Sequence, residues 1–302
     1  MHSYEWGAYT NFSFLTEDTL VIPNRPENSL EIVRIVDDES DSDDNIPRLV
    51  PLCTLNLPSL AEHASIIRLG CYAEPKPTGS GPSPLLVPAP SSRPFRNTAG
   101  DAITIFDLLI EDDAAHEPSS FTFIVHRRAL IAHIPRAQRA CAPFRAVAGA
   151  EPTTVPWSAW GVPVTRWFDY DPWMRWITTA AGQRVVMMED YTPAPIVVRD
   201  FNPYAVRAAL AREAAQGRTQ ECEKSQVLPN GNRQTVKVEA DVIPAGSIFR
   251  EEVRSALPYF ETVTQTRYGY EGVVIDEERI LGLEVRSLLF CVYGLMRVRF
   301  AD

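Results

Sequence analysis

Residues 12–23, FSFLTEDTLVIP, place the acidic turn TEDT between two short apolar runs. A four-residue connection of this composition is typical of a hairpin loop built on a type I turn. Residues 273–283, VVIDEERILGL, repeat the same order with DEER as the turn. Short apolar runs on both sides of an acidic turn predict an antiparallel β-hairpin in each place.

Similar pairs of apolar runs extend the pattern along the chain. The runs 102–110 and 121–126 form one pair, and the runs 184–188 and 196–201 form another. Asn230-Gly231 marks a tight turn before a further strand. The remaining predicted strands are 29–36, 50–57, 66–73, 235–242 and 259–266.

The number and spacing of these strands predict an all-β fold. Roughly fifteen short strands with few helical signals suit a series of β-sandwiches or a β-propeller. The strands exceed those of one sandwich, and no linker divides the chain cleanly. We therefore predict a β-propeller-like array of short antiparallel hairpins, whose ring need not be complete.

One helix is predicted within this array, at residues 203–216. Asn202 is a good N-cap, Pro203 suits the first helical position and Gly217 suits the end of the helix. A second helix at 247–256 is a weaker alternative, because its apolar period is poor and Pro258 follows it.

The array is predicted to be one domain, residues 1–284, with two long loops. The acidic loop 37–44, DDESDSDD, holds six carboxylates in eight residues, which repel one another and stay solvated. The loop 74–95 is rich in proline and is expected to be extended. Residues 285–302 are apolar without clear alternation, and we predict an atypical C-terminal tail there.

Composition argues against several classes of partner. The net charge of −10 and the absence of a basic stripe weigh against nucleic acid. The longest apolar run, 288–296, is about half the length that a membrane span needs, and no signal peptide is visible. Five scattered cysteines without a CxxC pair predict buried free thiols. These features together predict a cytoplasmic or nuclear protein.

Motifs for catalysis are missing from the sequence. It has no GxSxG, HExxH or P-loop motif, and no GxGxxG follows a predicted strand. The five histidines are spread along the chain, so a structural role is expected for each. We accordingly predict no catalytic residue, no cofactor and no metal site.

Tryptophan is concentrated in one segment. Five of the six tryptophans fall within residues 157–176, and each can bury roughly 150–250 Å². The segment is therefore a dense part of a core or a covered interaction face. Most of these tryptophans are expected in the core, and Trp173 and Trp176 are expected to be partly exposed. The candidate partner-binding residues are Asp169, Tyr170, Asp171, Trp173 and Trp176.

An alternative function follows from the same residues. Sugar faces stack on aromatic rings and sugar hydroxyls bond to carboxylates. The segment 167–176 is thus compatible with a propeller glycoside hydrolase or lyase, or with a sugar-binding module. The simpler interpretation is a strand end whose acidic residues form a turn before Pro172.

Several segments, in order, resemble the C-terminal regions of fungal, basidiomycete-type F-box proteins. The clearest are WGVPVTRWF (160–168), VVRDFNPYAV (197–206), FTFIVHRRALIAHIP (121–135) and IPAGSIFREEVRSALPYFE (243–261). The resemblance implies a propeller-like β-repeat region that selects substrates for a ubiquitin ligase. It transfers no catalytic residue. The chain itself holds no F-box, so docking to a ligase is expected only if one is encoded upstream.

These observations favour a non-catalytic platform that binds a protein partner. Rigid hairpins present variable loops, and loops carry most recognition in such folds. The expected contact elements are the acidic loop 37–44, the proline-rich loop 74–95 and the turn 169–171.

Overall fold

The computed structural model describes residues 11–36, 47–73, 99–112, 118–135, 152–169, 179–188, 193–215, 225–228, 231–246, 248–276, 279–286 and 295–300. The strands in chain order are β1 (Ser13–Phe14), β2 (Thr19–Asn24), β3 (Ser29–Val36), β4 (Arg48–Asn56), β5 (Ala64–Ala73), β6 (Ile103–Asp112), β7 (Ser119–His126), β8 (Thr153–Val155), β9 (Thr165–Asp169), β10 (Ala180–Ala181), β11 (Arg184–Met188), β12 (Ala194–Asp200), β13 (Ser225–Val227), β14 (Arg233–Lys237), β15 (Asp241–Ile243), β16 (Val253–Ser255), β17 (Tyr259–Tyr268), β18 (Gly272–Ile275), β19 (Ile280–Arg286) and β20 (Leu295–Phe300). The helices are α1 (Arg127–Ile131), α2 (Trp157–Val164) and α3 (Pro203–Ala215), and a 3-10 turn covers Ala99–Asp101.

These strands form four larger sheets, none of which closes into a barrel within the described ranges. Sheet 1 has the order β1-β2-β3-β4-β8, and sheet 2 has the order β5-β6-β7-β9. Sheet 3 has the order β10-β11-β12-β17-β14-β13, and sheet 4 has the order β18-β19-β20. β15 and β16 form a separate hairpin. All pairs are antiparallel except β4 with β8, so the predicted all-β class is confirmed.

The predicted hairpins are confirmed. β1 and β2 enclose the turn TEDT, where the Leu15 N–H donates to the Thr19 carbonyl at 2.8 Å. β18 and β19 form the second acidic hairpin, and β6 with β7 and β11 with β12 form the other two. The tail is a strand in part, since β20 pairs with β19 along its whole length.

Two predictions in the region 235–256 were wrong. The single strand 235–242 is two strands, because β14 pairs with β17 whereas β15 pairs with β16. The weaker helix at 247–256 contains β16 and a bridge between Phe249 and Leu60. Leu60 is distant in sequence from Phe249, so no local pattern indicates that bridge, whereas β15 and β16 are neighbours in sequence but have only three residues each.

Helix α3 is confirmed, with its predicted cap. The Asn202 side-chain oxygen accepts the Tyr204 N–H at 2.8 Å, and the Asn202 carbonyl accepts the Val206 N–H at 3.0 Å. The prediction of one helix was wrong, because α1 and α2 also form. α1 has only five residues, and α2 carries an internal Pro163 and no side-chain cap. Neither therefore shows the usual helical signals.

Sheets 2 and 3 are apolar on both faces. In β6, Phe106, Leu108 and Ile110 pack with the core side chains of sheet 1. Ile103 and Ile105 alternate with them and pack against sheet 3. Successive strand residues point to opposite faces, so one strand serves two cores.

Sheet 3 repeats this arrangement. Val185 of β11 packs towards sheet 2, whereas Val186 and Met188 pack against Val273 and Ile275 of sheet 4. The four sheets therefore lie one against the next in the order in which the chain makes them.

Two segments cross back and join sheets 1 and 2. Helix α2 lies between β7 and β9 and follows β8, which adds a parallel strand to sheet 1. The other segment lies between β15 and β16. There the Ala61 N–H donates to the Ile248 carbonyl at 2.9 Å, and the Arg250 N–H donates to the Ser59 carbonyl at 2.8 Å.

The described tryptophans belong to the core that these segments cover. Trp167 stacks on Phe123, with ring centroids 4.9 Å apart, and meets Trp157 edge-on at 5.7 Å. Trp160 meets Trp157 at 5.1 Å and donates its indole N–H to the Asn56 carbonyl at 2.8 Å. Trp160 and Trp167 are buried, which confirms the predicted core role for them.

The free edge of β5 is covered by the side chains of Asn11, which precedes β1, and Arg25, which lies between β2 and β3. The Asn11 amide donates to the Cys71 carbonyl at 2.8 Å, and its oxygen accepts the Cys71 N–H at 2.8 Å. Arg25 donates to the Ile67 carbonyl at 3.0 Å. One amide side chain thus makes the two hydrogen bonds that a neighbouring strand would make.

Trp160→Phe is expected to lower the free energy of unfolding by about 1–2 kcal/mol, because the Asn56 carbonyl loses its donor. Trp157→Phe is the matched control, since its indole nitrogen has no hydrogen-bond partner among the described residues. Urea unfolding followed by far-UV circular dichroism measures both. Equal losses would show that the hydrogen bond contributes nothing beyond ring packing.

Gly161→Ala is expected to cost about 1–3 kcal/mol, because the added methyl group overlaps the Trp157 ring. Gly269→Ala is the control, since nothing lies within 4 Å of its added carbon. Thermal unfolding compares the two variants. If Gly161→Ala is as stable as the control, the Trp157 ring does not lie against Gly161.

Candidate functional site

Of the five predicted site residues, the structure describes one. Asp169 is the last residue of β9, is exposed, and pairs through its backbone with Phe121. Tyr170, Asp171, Trp173 and Trp176 lie outside the described residues, as do the loops 37–44 and 74–95. The structure therefore locates only Asp169, the first of the five predicted residues.

The aromatic rings just before Asp169 are covered by other side chains. Trp167 is buried against Phe123. Phe168 carries the Arg199 guanidinium over one face, 4.1 Å from the ring centroid, and meets Tyr259 edge-on at 5.7 Å. Each of these two rings therefore has a face occupied by the protein itself.

Arg199 joins this aromatic pair to a carboxylate. It lies directly across from Glu261 in the pairing of β12 with β17, and its Nε donates to Glu261 Oε2 at 2.8 Å. Both side chains are mostly buried. Hydrogen bonds between ionised groups are the stronger ones, so this pair fixes the guanidinium over Phe168.

Arg166 lies fully buried, and it also contacts the Tyr259 ring. Its Nε donates to the Leu257 carbonyl at 2.8 Å. Its Nη1 donates to the Glu239 carbonyl at 2.9 Å and to Asp241 Oδ2 at 2.6 Å. Its Nη2 has no hydrogen-bond partner among the described residues. The Arg166 guanidinium lies 5.3 Å from the Tyr259 ring centroid.

We call Arg166, Phe168, Arg199, Tyr259 and Glu261 the guanidinium cluster. It lies between sheets 2 and 3, because β9 belongs to the first and β12 and β17 belong to the second. Burial raises the pKa of the Tyr259 phenol, although the two arginines oppose that rise. The phenol therefore stays protonated at neutral pH.

The carboxylates of this region are paired with arginines. Glu261 is held by Arg199, and Asp241 is held by Arg166. Burial raises the pKa of the Cys71 thiol, and Asp107 raises it further, so this cysteine is not a ready nucleophile. Cys53 and Cys71 are buried free thiols, as predicted for them. Within the described ranges, no three acidic, cysteine or histidine side chains are grouped to hold a metal ion.

Sequence reasoning missed the two arginines at the centre of the cluster. Each stands inside an apolar strand, in TRWF and in IVVRD, where a buried charge requires a partner. The need of a buried arginine for a partner was the signal that could have indicated the cluster. The partners themselves lie 62 to 91 residues further along the chain, beyond any local pattern.

Comparison with known proteins gives no relative for this arrangement. No family model matches the chain, and neither a curated protein nor a solved structure matches it. No helix within the described ranges has the length and apolar composition that crossing a membrane requires.

Arg166→Met is expected to lower the free energy of unfolding by about 2–3 kcal/mol, because the Leu257 and Glu239 carbonyls lose their donor. Arg250→Met is the control, since Arg250 is exposed and 3.9 Å from Glu62, and a change within about 0.5 kcal/mol is expected. Urea unfolding measures both. If Arg166→Met and Arg250→Met have the same free energy of unfolding, the cluster does not stabilise the contact between sheets 2 and 3.

Proposed function

We propose that the chain is a non-catalytic platform for a protein partner, built as a propeller-like series of sheets. The arrangement of inner strands supports the propeller. β1 and β2 contact β5, and β10 and β11 contact β18, so the first strands of sheets 1 and 2 lie together, as do those of sheets 3 and 4. In a propeller the first strands of successive blades surround a common axis.

The observation on which the proposed binding function rests is that the buried arginines are already paired inside the fold. Arg166 and Arg199 are engaged by carboxylates and aromatic rings, which leaves recognition to the loops between strands.

The long loops attach at one side of sheets 1 and 2. Val36 and Arg48, which flank the acidic loop, pair at one end of sheet 1. Residues 57–63 join the opposite end of β4 to the start of β5, so Ala73, which precedes the proline-rich loop, lies on the acidic loop's side. Asp169 leaves sheet 2 at the other end. We place the partner on the side of the two long loops.

The likeness to fungal F-box proteins extends this proposal. The likeness implies a region that selects substrates for a ubiquitin ligase. If an F-box is encoded upstream, the longer protein is proposed to bind a ligase adaptor and to present the partner for ubiquitylation. The proposal places the protein in the cytoplasm or the nucleus.

Loop replacement tests which side binds. Residues 38–43 or 76–94 are replaced by short Gly-Ser linkers, and residues 113–117 at the opposite end of sheet 2 are replaced in a control. A partner is identified by cross-linking in cells and purified, and its Kd is measured with each variant. We expect at least a tenfold rise for one of the long loops, equivalent to about 1.4 kcal/mol, and no change for the control.

The same material tests the sugar-binding alternative. Calorimetric titration against a panel of glycans, with Asp169→Asn as the variant, measures it directly. Saturable glycan binding that Asp169→Asn abolishes, together with no effect of loop replacement on protein binding, would replace the proposed function.

A further inference from the structure

We propose that the outer face of helix α3 binds an acidic segment of the protein partner. This inference rests on the proposed function, because it names the chemistry of the partner that the platform would hold. The inner side of α3 is fixed to sheet 3, since Val206 and Ala209 are buried and the helix contacts β14 and β17. On the outer side, Tyr204 is 75% exposed. That side is therefore accessible to another molecule.

The outer side combines an aromatic ring with two arginines. Tyr204, Ala208 and Ala211 are four and three residues apart, so they lie along one side of the helix. Arg207 and Arg212 flank them, and all five residues are exposed. We call these five residues the α3 face. Its small alanine side chains leave room for a peptide between the two guanidinium groups.

Both arginine side chains are held by the helix itself. Arg207 Nε donates to the Pro203 carbonyl at 3.2 Å, and the guanidinium lies 4.7 Å from the Tyr204 ring centroid. Arg212 Nε donates to the Ala208 carbonyl at 3.3 Å. Because Nε is used within the helix, the terminal nitrogens of each guanidinium are left for an acceptor from outside. A side chain that is already held loses less entropy on binding.

The charge of the α3 face indicates what occupies it. Neither Arg207 nor Arg212 pairs with a carboxylate in the described part of the chain, whereas the exposed Arg254 and Arg279 do. The single carboxylate in the sequence of α3 belongs to Glu213, which is half-buried. Guanidinium groups bind carboxylates through two parallel hydrogen bonds, so the complementary group is a carboxylate.

The spacing of the two arginines suggests the form of the bound segment. Five residues of helix rise about 7.5 Å, and two residues of an extended chain span roughly 6.6 Å. An extended segment with acidic residues at alternate positions can therefore place one carboxylate near each arginine. The Tyr204 ring offers an apolar surface to the methylene groups of these acidic side chains.

Helix α3 begins on the side of the fold where the partner is placed. Asp200, the last residue of β12, pairs with Arg184 of β11. Just before β11, the Gly182 carbonyl accepts the N–H of Ile103 at 2.9 Å. Ile103 is the first residue of β6 and lies at the same end of sheet 2 as Ala73, which precedes the proline-rich loop. The α3 face therefore extends the surface proposed for the partner.

Nucleic acid fits the same face less well. A bound strand places a phosphate at every nucleotide and needs a basic stripe that neutralises many of them. The α3 face supplies two guanidinium groups, and the chain as a whole carries a net charge of −10. Two carboxylates match this face, whereas a longer polyanion does not.

Titration of the intact chain with a synthetic peptide, in which glutamate alternates with threonine, tests the proposal. The variant is Arg207→Gln with Arg212→Gln, and glutamine keeps the helix because its helix propensity is close to that of arginine. The matched control is Arg254→Gln with Arg279→Gln, which removes the same charge where the arginines are already paired. Calorimetry measures Kd. We expect it to rise about tenfold or more in the α3 variant and to stay unchanged in the control.

Reversing the charges gives a second test that does not depend on loss of binding. Arg207→Glu with Arg212→Glu should bind the corresponding peptide of alternating lysine and threonine and reject the glutamate peptide. The wild type should show the opposite preference. Circular dichroism of both proteins confirms that the fold is retained.

Three results would overturn the proposal. They are no saturable binding of the glutamate peptide to the wild type, binding that Arg207→Gln with Arg212→Gln does not weaken, and tighter binding of oligo(dT) that depends on the same arginines. The proposed function is judged separately with the purified partner. If loop replacement raises the Kd of that partner but the α3 variant does not, the platform stands and the α3 face is not its contact.

Discussion

Sheets 2 and 3 can fold only with an apolar neighbour on each side, and this constraint organises the rest of the molecule. β6 and β11 each supply side chains to two cores, so neither sheet can face water. An antiparallel sheet with one solvated face shows alternation in its sequence, whereas ITIFDLLI in β6 is nearly continuous in apolar residues. The stacking of four sheets in chain order is the consequence.

The aromatic core shows how the first of these interfaces is held. Trp157, Trp160 and Trp167 come from the segment that leaves sheet 2 after β7 and returns at β9. Phe249 comes from the segment inside the β15–β16 hairpin and meets Trp167 edge-on at 5.7 Å. Large rings of this kind bury much surface with few rotatable bonds, so two crossing segments suffice to tie the sheets together.

The hairpins could be predicted because both partners of each pair lie close in sequence and the turn chemistry is local. The cap of α3 at Asn202 was predictable for the same reason. Helix α2 was not, because it is held by the Trp160 bond to Asn56, 104 residues away. No residue of the guanidinium cluster was among the predicted site residues, which begin at Asp169, next to Phe168. The central element of the cluster, the pairing of Arg199 with Glu261, depends on sheet 3 bringing β12 beside β17.

The contact of Asn11 with β5 also has a consequence for the nascent chain. The Asn11 amide occupies the backbone of Cys71, sixty residues later in the chain, on the edge of β5. During synthesis the ribosome releases β1 to β4 of sheet 1, together with Asn11 and Arg25, before β5 emerges. Asn11 and Arg25 are thus available to cover the edge of β5 as soon as this strand emerges. A nascent chain on a crowded polysome therefore presents no bare strand there to its neighbours.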